Sequence, residues 1–136
     1  MKPKFMLDTN MCIYLMKHQP PQVQERFLQC FVGDVVISAV TLAELEFGVA
    51  CSGEAAEHNE CLLGSLLEDI RVAPFEAEAA RAYGPLRAAH RARNKDALDK
   101  LIAAHALSLG VVLVTNNESD FSGFCGLKIE NWVQGH

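Results

Sequence analysis

The chain has 136 residues, half of them hydrophobic, with a formal net charge of −5 and five cysteines. That length suits a single domain spanning residues 1–136, and the apolar share excludes a disordered polymer. No run approaches the roughly 18 uncharged apolar residues of a membrane helix, and no leader-like apolar segment follows Met1-Lys2-Pro3-Lys4, so a cytosolic protein without membrane contact is expected.

In chain order, residues 4–7 read as a first strand and 11–17 as a short helix. Pro20-Pro21 breaks that helix, and 22–30 forms another. Gly33-Asp34 turns the chain into Val35-Val36-Ile37-Ser38, a β-branched second strand. A helix from Thr41 to about Cys51 follows, then Ser52-Gly53. Residues 54–68 carry Leu62, Leu63, Leu66 and Leu67 at helical spacing. A short strand is expected at 70–72, and Pro74 ends it. Residues 76–93 read as a long Ala/Arg-rich helix with a kink at Gly84-Pro85. Another helix spans 97–109 and stops at Gly110. Val111 to Thr115 is the clearest strand, and a weak last one is expected at 127–130. Strands alternating with helices imply an α/β fold with a parallel sheet and helices on both faces.

The cysteines lack CxxC spacing, and no Cys/His pair has the spacing of a zinc site. They are expected to be reduced core or surface thiols. A negative net charge does not suit a simple nucleic-acid binder. The objection softens where acids hold cations, because the ion then sets the local charge.

Chemistry concentrates at strand ends. Phe5-Met6-Leu7 runs straight into Asp8-Thr9-Asn10, at the sheet edge where ligands sit in open α/β folds. Glu44, Asp99 and the cluster Asn116-Asn117 with Asp120 occupy comparable positions. Each has an ordinary structural explanation too. Asp8 suits a helix N-cap. Thr41-Leu42-Ala43-Glu44 fits a capping box, with Glu44 reaching back to Thr41. Asp96 and Asp99 suit the cap and first turn of helix 97–109. Residues 115–120 read equally as an Asn-rich loop entering a helical turn. Against this, Asp99 shares a face with Ile102, Ala103 and Ala106, where a lone charge costs several kcal/mol unless paired or metal-bound. Hard cations such as magnesium and manganese take oxygen ligands of this kind. His105, farther down the same helix, is expected to be a surface or packing residue. Arg87, Arg91, Arg93 and Lys95 form a basic stretch, either a guide for phosphates or a solvated helix face.

Leu-Asp-Thr-Asn at 7–10, Val-Thr-Leu-Ala-Glu-Leu at 40–45 with Gly48, Leu-Asp-Lys-Leu-Ile-Ala-Ala-His-Ala at 98–106 and Val-Thr-Asn-Asn…Asp-Phe at 114–121 resemble the PIN-domain family. More narrowly, they resemble the VapC toxins of bacterial toxin–antitoxin pairs. The likeness covers nearly the whole chain, down to Asn131-Trp132. It implies a three-layer α/β/α domain with a parallel sheet of about five strands. It also implies a Mg2+- or Mn2+-dependent endoribonuclease acting on structured RNA such as tRNA or rRNA. A homodimer held inactive by a VapB-like antitoxin is the expected assembly. Carried over residue by residue, Asp8, Glu44 and Asp99 match the catalytic, metal-holding acids. Asn117 stands where many relatives have Asp, and Asp120 is placed to contribute nearby. Asn10 and Thr115 match residues that support the site by hydrogen bonding.

Rival readings are weaker. A phosphoryl-transfer enzyme with Asp8 as nucleophile would want an Asp-x-Asp-x-Thr motif or an extra acidic pair, and neither is present. No P-loop or GxGxxG occurs. A PIN-like module that binds RNA or a partner with weak or no catalysis is the remaining alternative.

Overall fold

The computed structural model describes residues 2–91 and 97–134. Five strands form one all-parallel sheet in the order β3-β2-β1-β4-β5. They are β1 (Phe5–Leu7), β2 (Val35–Ser38), β3 (Arg71–Ala73), β4 (Val112–Val114) and β5 (Ile129–Glu130). Between them lie α1 (Thr9–Lys17), α2 (Pro21–Leu28), α3 (Ala39–Ala50), α4 (Ala56–Asp69), α5 (Ala77–Ala89), α6 (Ala97–Leu109) and α7 (Glu118–Phe121), with a 3-10 turn at Gly53–Ala55.

The period of two in a strand divides the core. Leu7, Ile37 and Val114 face one layer, built on Met11 and Leu15 of α1, Val23 of α2, and Leu63 and Leu66 of α4. Met6, Val36 and Leu113 face the other, built on Leu86 of α5 and on Ile102, Ala103 and Ala106 of α6. Covering both faces is what a parallel sheet requires, and it explains why β2 is apolar at consecutive positions rather than at alternate ones. The three-layer architecture expected from the sequence is therefore present.

The strand order creates the functional edge. The chain steps from β1 to β2 to β3 in one direction, then returns to place β4 on the other side of β1. Neighbouring connections diverge between β1 and β4, the switch point outside whose carboxyl ends open α/β sheets place ligands. Asp8 follows β1 and Thr115 follows β4, and the Asp8 N–H donates to the Val114 carbonyl at 3.0 Å.

Several boundaries differ from those read in the sequence. Helix α1 begins at Thr9, because Asp8 caps it. Pro21 opens α2 at its first position, where a missing N–H costs nothing. Helix α3 begins at Ala39 with Ser38 as its cap, two residues before the expected Thr41. Thr41 is thereby inside the helix, and the Thr41–Glu44 capping box does not form. Strand β3 starts one residue late, β4 loses a residue at each end, and β5 is reduced to two residues. Helix α5 ends at Ala89 and runs through Pro85. Helix α6 has the expected bounds, and Gly110 follows at φ +68°, a left-handed C-terminal stop. Arg93, Lys95 and Asp96 lie outside the described residues. All five cysteines are free thiols. Cys12 is buried in the core, and Cys51, Cys61 and Cys125 are exposed.

Candidate active site

Asp8 follows the central strand and is almost wholly buried. Its Oδ1 accepts the Met11 N–H at 2.9 Å, capping α1. Hydrogen bonds from the Thr115 hydroxyl and the Asn10 backbone also reach the carboxylate. Those donors favour its charged form, yet burial and the nearby charge of Glu44 outweigh them, and its pKa is raised above the ordinary carboxylate value. Capping and site chemistry thus coincide in one side chain.

Glu44 comes from α3 and is half-buried. Its Oε1 accepts the Thr9 hydroxyl at 2.6 Å, across 35 residues of sequence. This bond replaces the capping box and turns the carboxylate toward the start of α1, where Asp8 lies. One helical turn earlier on the same face, the Thr41 hydroxyl is fully buried and without a hydrogen-bond partner among the described residues. An orphaned hydroxyl one turn from a paired acid is unusual in a native interior and suits a site lined for a polar guest.

Asp99 occupies the first turn of α6 and is half-buried on the stripe that carries the fully buried Ile102, Ala103 and Ala106. His105, two turns below, meets Ser38 at the carboxyl end of β2. Asp99 therefore lies about 9 Å nearer the helix start, beyond the sheet's carboxyl edge. Among the described residues, no three His, Cys, Asp or Glu side chains converge closely enough to hold an ion. Asp8 and Glu44 lie within electrostatic reach of one another.

The β4 loop supplies the other wall. Thr115 is fully buried, and its Oγ1 accepts the Asn117 N–H at 2.9 Å. The side chains of Asn10 and Asn117 are solvent-exposed, and both residues reach the site through backbone N–H groups. Asp120 is half-buried in α7, its N–H donating to the Asn117 carbonyl at 3.0 Å. The buried Asp8 carboxylate, the paired Glu44 carboxylate and the hydroxyls beside them are oxygen ligands of the kind a hard divalent cation takes.

Two buried polar residues carry no such signal in the sequence. Lys100 is 1% exposed, and its ammonium donates to the His90 carbonyl at 2.9 Å, binding the end of α5 to the start of α6. His105 is 1% exposed, its Nδ1 lying 2.8 Å from Ser38 Oγ. That Oγ in turn accepts the Val40 N–H at 3.0 Å. The ring also bonds the Pro74 backbone and packs edge-on against Phe75. His105 is thus a packing residue, and it ties α6, which carries Asp99, to the cap of α3, which carries Glu44.

Burial pushes the His105 pKa below its ordinary value. A His with a lowered folded-state pKa adds stability above the unfolded value, about 6.5. That stability is lost as pH falls through the folded pKa, because the unfolded chain takes up the proton first. Melting temperature is therefore expected to fall more steeply as pH drops below about 6.5 in the wild type than in His105→Asn. Parallel slopes would contradict a neutral buried ring.

The PIN domain family model matches residues 5–126. The tRNA(fMet)-specific endonuclease VapC of Shigella flexneri is 40% identical over 131 residues, covering 95% of this chain and 98% of that one. The DNA-bound VapBC structure from Salmonella typhimurium superposes with a TM-score of 0.87 at 37% identity, covering 96% of this chain and 98% of that one. VapBC2 from Rickettsia felis, bound to a promoter DNA fragment, gives a TM-score of 0.83 at 32% identity over 94% and 98%.

Proposed function

Because the chain belongs to the PIN domain family, we infer that it is a VapC-type toxin, an endoribonuclease that hydrolyses RNA phosphodiesters and is silenced by a small VapB-like antitoxin. The observation that carries this reading is the buried Asp8 carboxylate at the β1–β4 switch point, its proton affinity raised by burial and by Glu44. Two acids placed so as to repel one another, in a fold that gains nothing from the repulsion, are suited to a cation.

We assign the ion to Asp8, Glu44 and Asp99, and its identity to magnesium or manganese. When bound, it supplies the positive charge that lowers the pKa of water and neutralises the leaving oxygen. The chain's own residues do the positioning. Thr115 and the α1 backbone hold the Asp8 carboxylate, and Thr9 fixes Glu44. Exposed Arg87 and Arg91, at the end of α5, are suited to steer RNA phosphates. A tRNA is the favoured substrate and the cytosol the favoured place of action.

The antitoxin has a surface to meet. Adjoining hollows of about 270, 210 and 230 Å³ share Phe27, Leu28 and Asp69, then Met16 and Leu62. They run from the exposed Leu28 to the wall that includes Glu44. A mostly apolar trough with Glu68 and Asp69 along it, and Glu44 beside Lys17 at its end, suits a peptide with an apolar face and basic residues, and such a peptide complements the net charge of −5.

The test is cleavage of total tRNA by antitoxin-free protein. Discrete fragments with manganese, and none with excess EDTA, are expected. Equal cutting in both would sink the metal reading, and a folded protein that cuts in neither would leave a binding role.

A further inference from the structure

Asn131 is fully buried in the turn after β5, and it belongs to none of the groups assigned above to the ion. Its Oδ1 accepts the N–H groups of Val133 at 2.9 Å and Gln134 at 3.3 Å. Its Nδ2 donates to Asn116 Oδ1 at 3.1 Å and to Glu118 Oε2 at 2.9 Å. The orientation of the amide is unambiguous, because backbone N–H groups only donate and a carboxylate only accepts. All four hydrogen-bonding positions of the side chain are occupied. Asp at this position would keep the first two bonds and set a charge against Glu118.

The neighbours of Asn131 hold it rigidly. Trp132 is 3% exposed and meets the Phe5 ring edge-on at 5.5 Å. The Arg26 guanidinium lies 5.1 Å from the Trp132 ring and 5.2 Å from the Phe5 ring. Glu130 Oε1 accepts Trp132 Nε1–H at 2.9 Å and pairs with Arg26 at 3.4 Å. The turn is thereby clamped to α2 and to the amino end of β1.

Asn116 and Glu118 flank Asn117 in the segment that follows β4. The Asn117 N–H donates to Thr115 Oγ1, and the Thr115 hydroxyl donates to Asp8. We propose that Asn131 is a positioning residue for the active site: its amide fixes the 115–118 segment, which aims the Thr115 hydroxyl at the Asp8 carboxylate. The proposal rests on the nuclease reading for its catalytic consequence, and on geometry alone for its effect on the loop.

The experiment compares wild type, Asn131→Asp, Glu118→Gln and the double variant in RNA cleavage with manganese. Beside it runs hydrogen exchange of the Asn117 amide. Asn131→Asp is expected to lower kcat by about 10- to 100-fold, the usual cost of losing a group that orients a metal ligand, with KM within about twofold. The double variant reverses the polarity of one bond, since the new amide at position 118 can donate to the new carboxylate at position 131, and it should recover most of kcat. Asn117 exchange should quicken in the single variant and slow again in the double. Wild-type kcat in Asn131→Asp, or a fall in kcat that Glu118→Gln does not reverse, would overturn the proposal. Should Asn131→Asp fail to fold, Glu118→Ala removes the loop-side partner. Reduced kcat with faster Asn117 exchange in it would support the clamp, and no change in either would overturn it. If the wild type cleaves no RNA, the nuclease reading has failed, and the exchange rates alone decide whether Asn131 holds the loop.

Discussion

Asp8→Asn is expected to abolish RNA cleavage while raising the melting temperature of the metal-free protein. The two effects share one cause. Burial and Glu44 raise the pKa of Asp8, so its charged form is disfavoured in the fold. A carboxylate with a raised folded-state pKa gives stability that is complete below its unfolded pKa and lost as pH rises through the folded one. As pH rises above the unfolded value, the metal-free wild type therefore loses that stability. Asn keeps the shape, accepts the Met11 N–H that caps α1, and ranks with Asp as a cap. It removes the charge and exchanges one acceptor oxygen for an NH2 group, whose hydrogen the Thr115 hydroxyl oxygen can accept. Each kcal/mol recovered should move the melting temperature by about 3–5 °C in a domain of this size. Removing an acid from the proposed metal site should cost several kcal/mol in the transition state, roughly 10³-fold in rate. Manganese should stabilise the wild type by linkage and leave the variant nearly unmoved. A variant that melts below the wild type at pH 7 without metal would contradict this account of Asp8.

How much of the site is legible in the sequence follows from how local its signals are. Asp8 stands out because an apolar strand ends abruptly in a carboxylate. Asp99 stands out because it falls on the apolar face of α6. Glu44 also stands out, but with the wrong local partner in view. The stretch Ser38-Ala39-Val40-Thr41 contains two good caps, and position alone does not choose between them. Ser38 wins because its hydroxyl also meets His105, 67 residues away in sequence. Once α3 starts early, Glu44 turns from Thr41 to Thr9.

The remaining anchors carry no local signal. A lysine in a helix reads as solvent-facing, yet Lys100 is buried because the His90 carbonyl at the end of α5 receives it. Asn131 enters the sequence reading only as part of the resemblance, and its hydrogen bonds depend on a loop brought beside it by the pairing of β4 with β5. The fold is more legible than these anchors. Alternating apolar runs and helical spacings need only neighbours in sequence, whereas buried polar bonds need partners that only the tertiary structure supplies. Strand ends shift by a residue or so for the same reason. Val111 and Thr115 are as β-prone as the residues between them, but the described ladder pairs only Val112 to Val114 with β1.

Asp8, Glu44 and Asp99 are proposed to act as one centre, and among the described residues no three acids converge closely enough to hold an ion in this structure. Asp99→Asn tests that proposal most directly. The substitution keeps the size of the side chain at the first turn of α6 and removes its charge. Manganese-dependent cleavage of tRNA by the folded variant is expected to fall by about 10³-fold, the loss of several kcal/mol of transition-state stabilisation, with an unchanged circular dichroism spectrum. Cleavage at the wild-type rate, with the same dependence on manganese, would remove Asp99 from the centre and contradict the account.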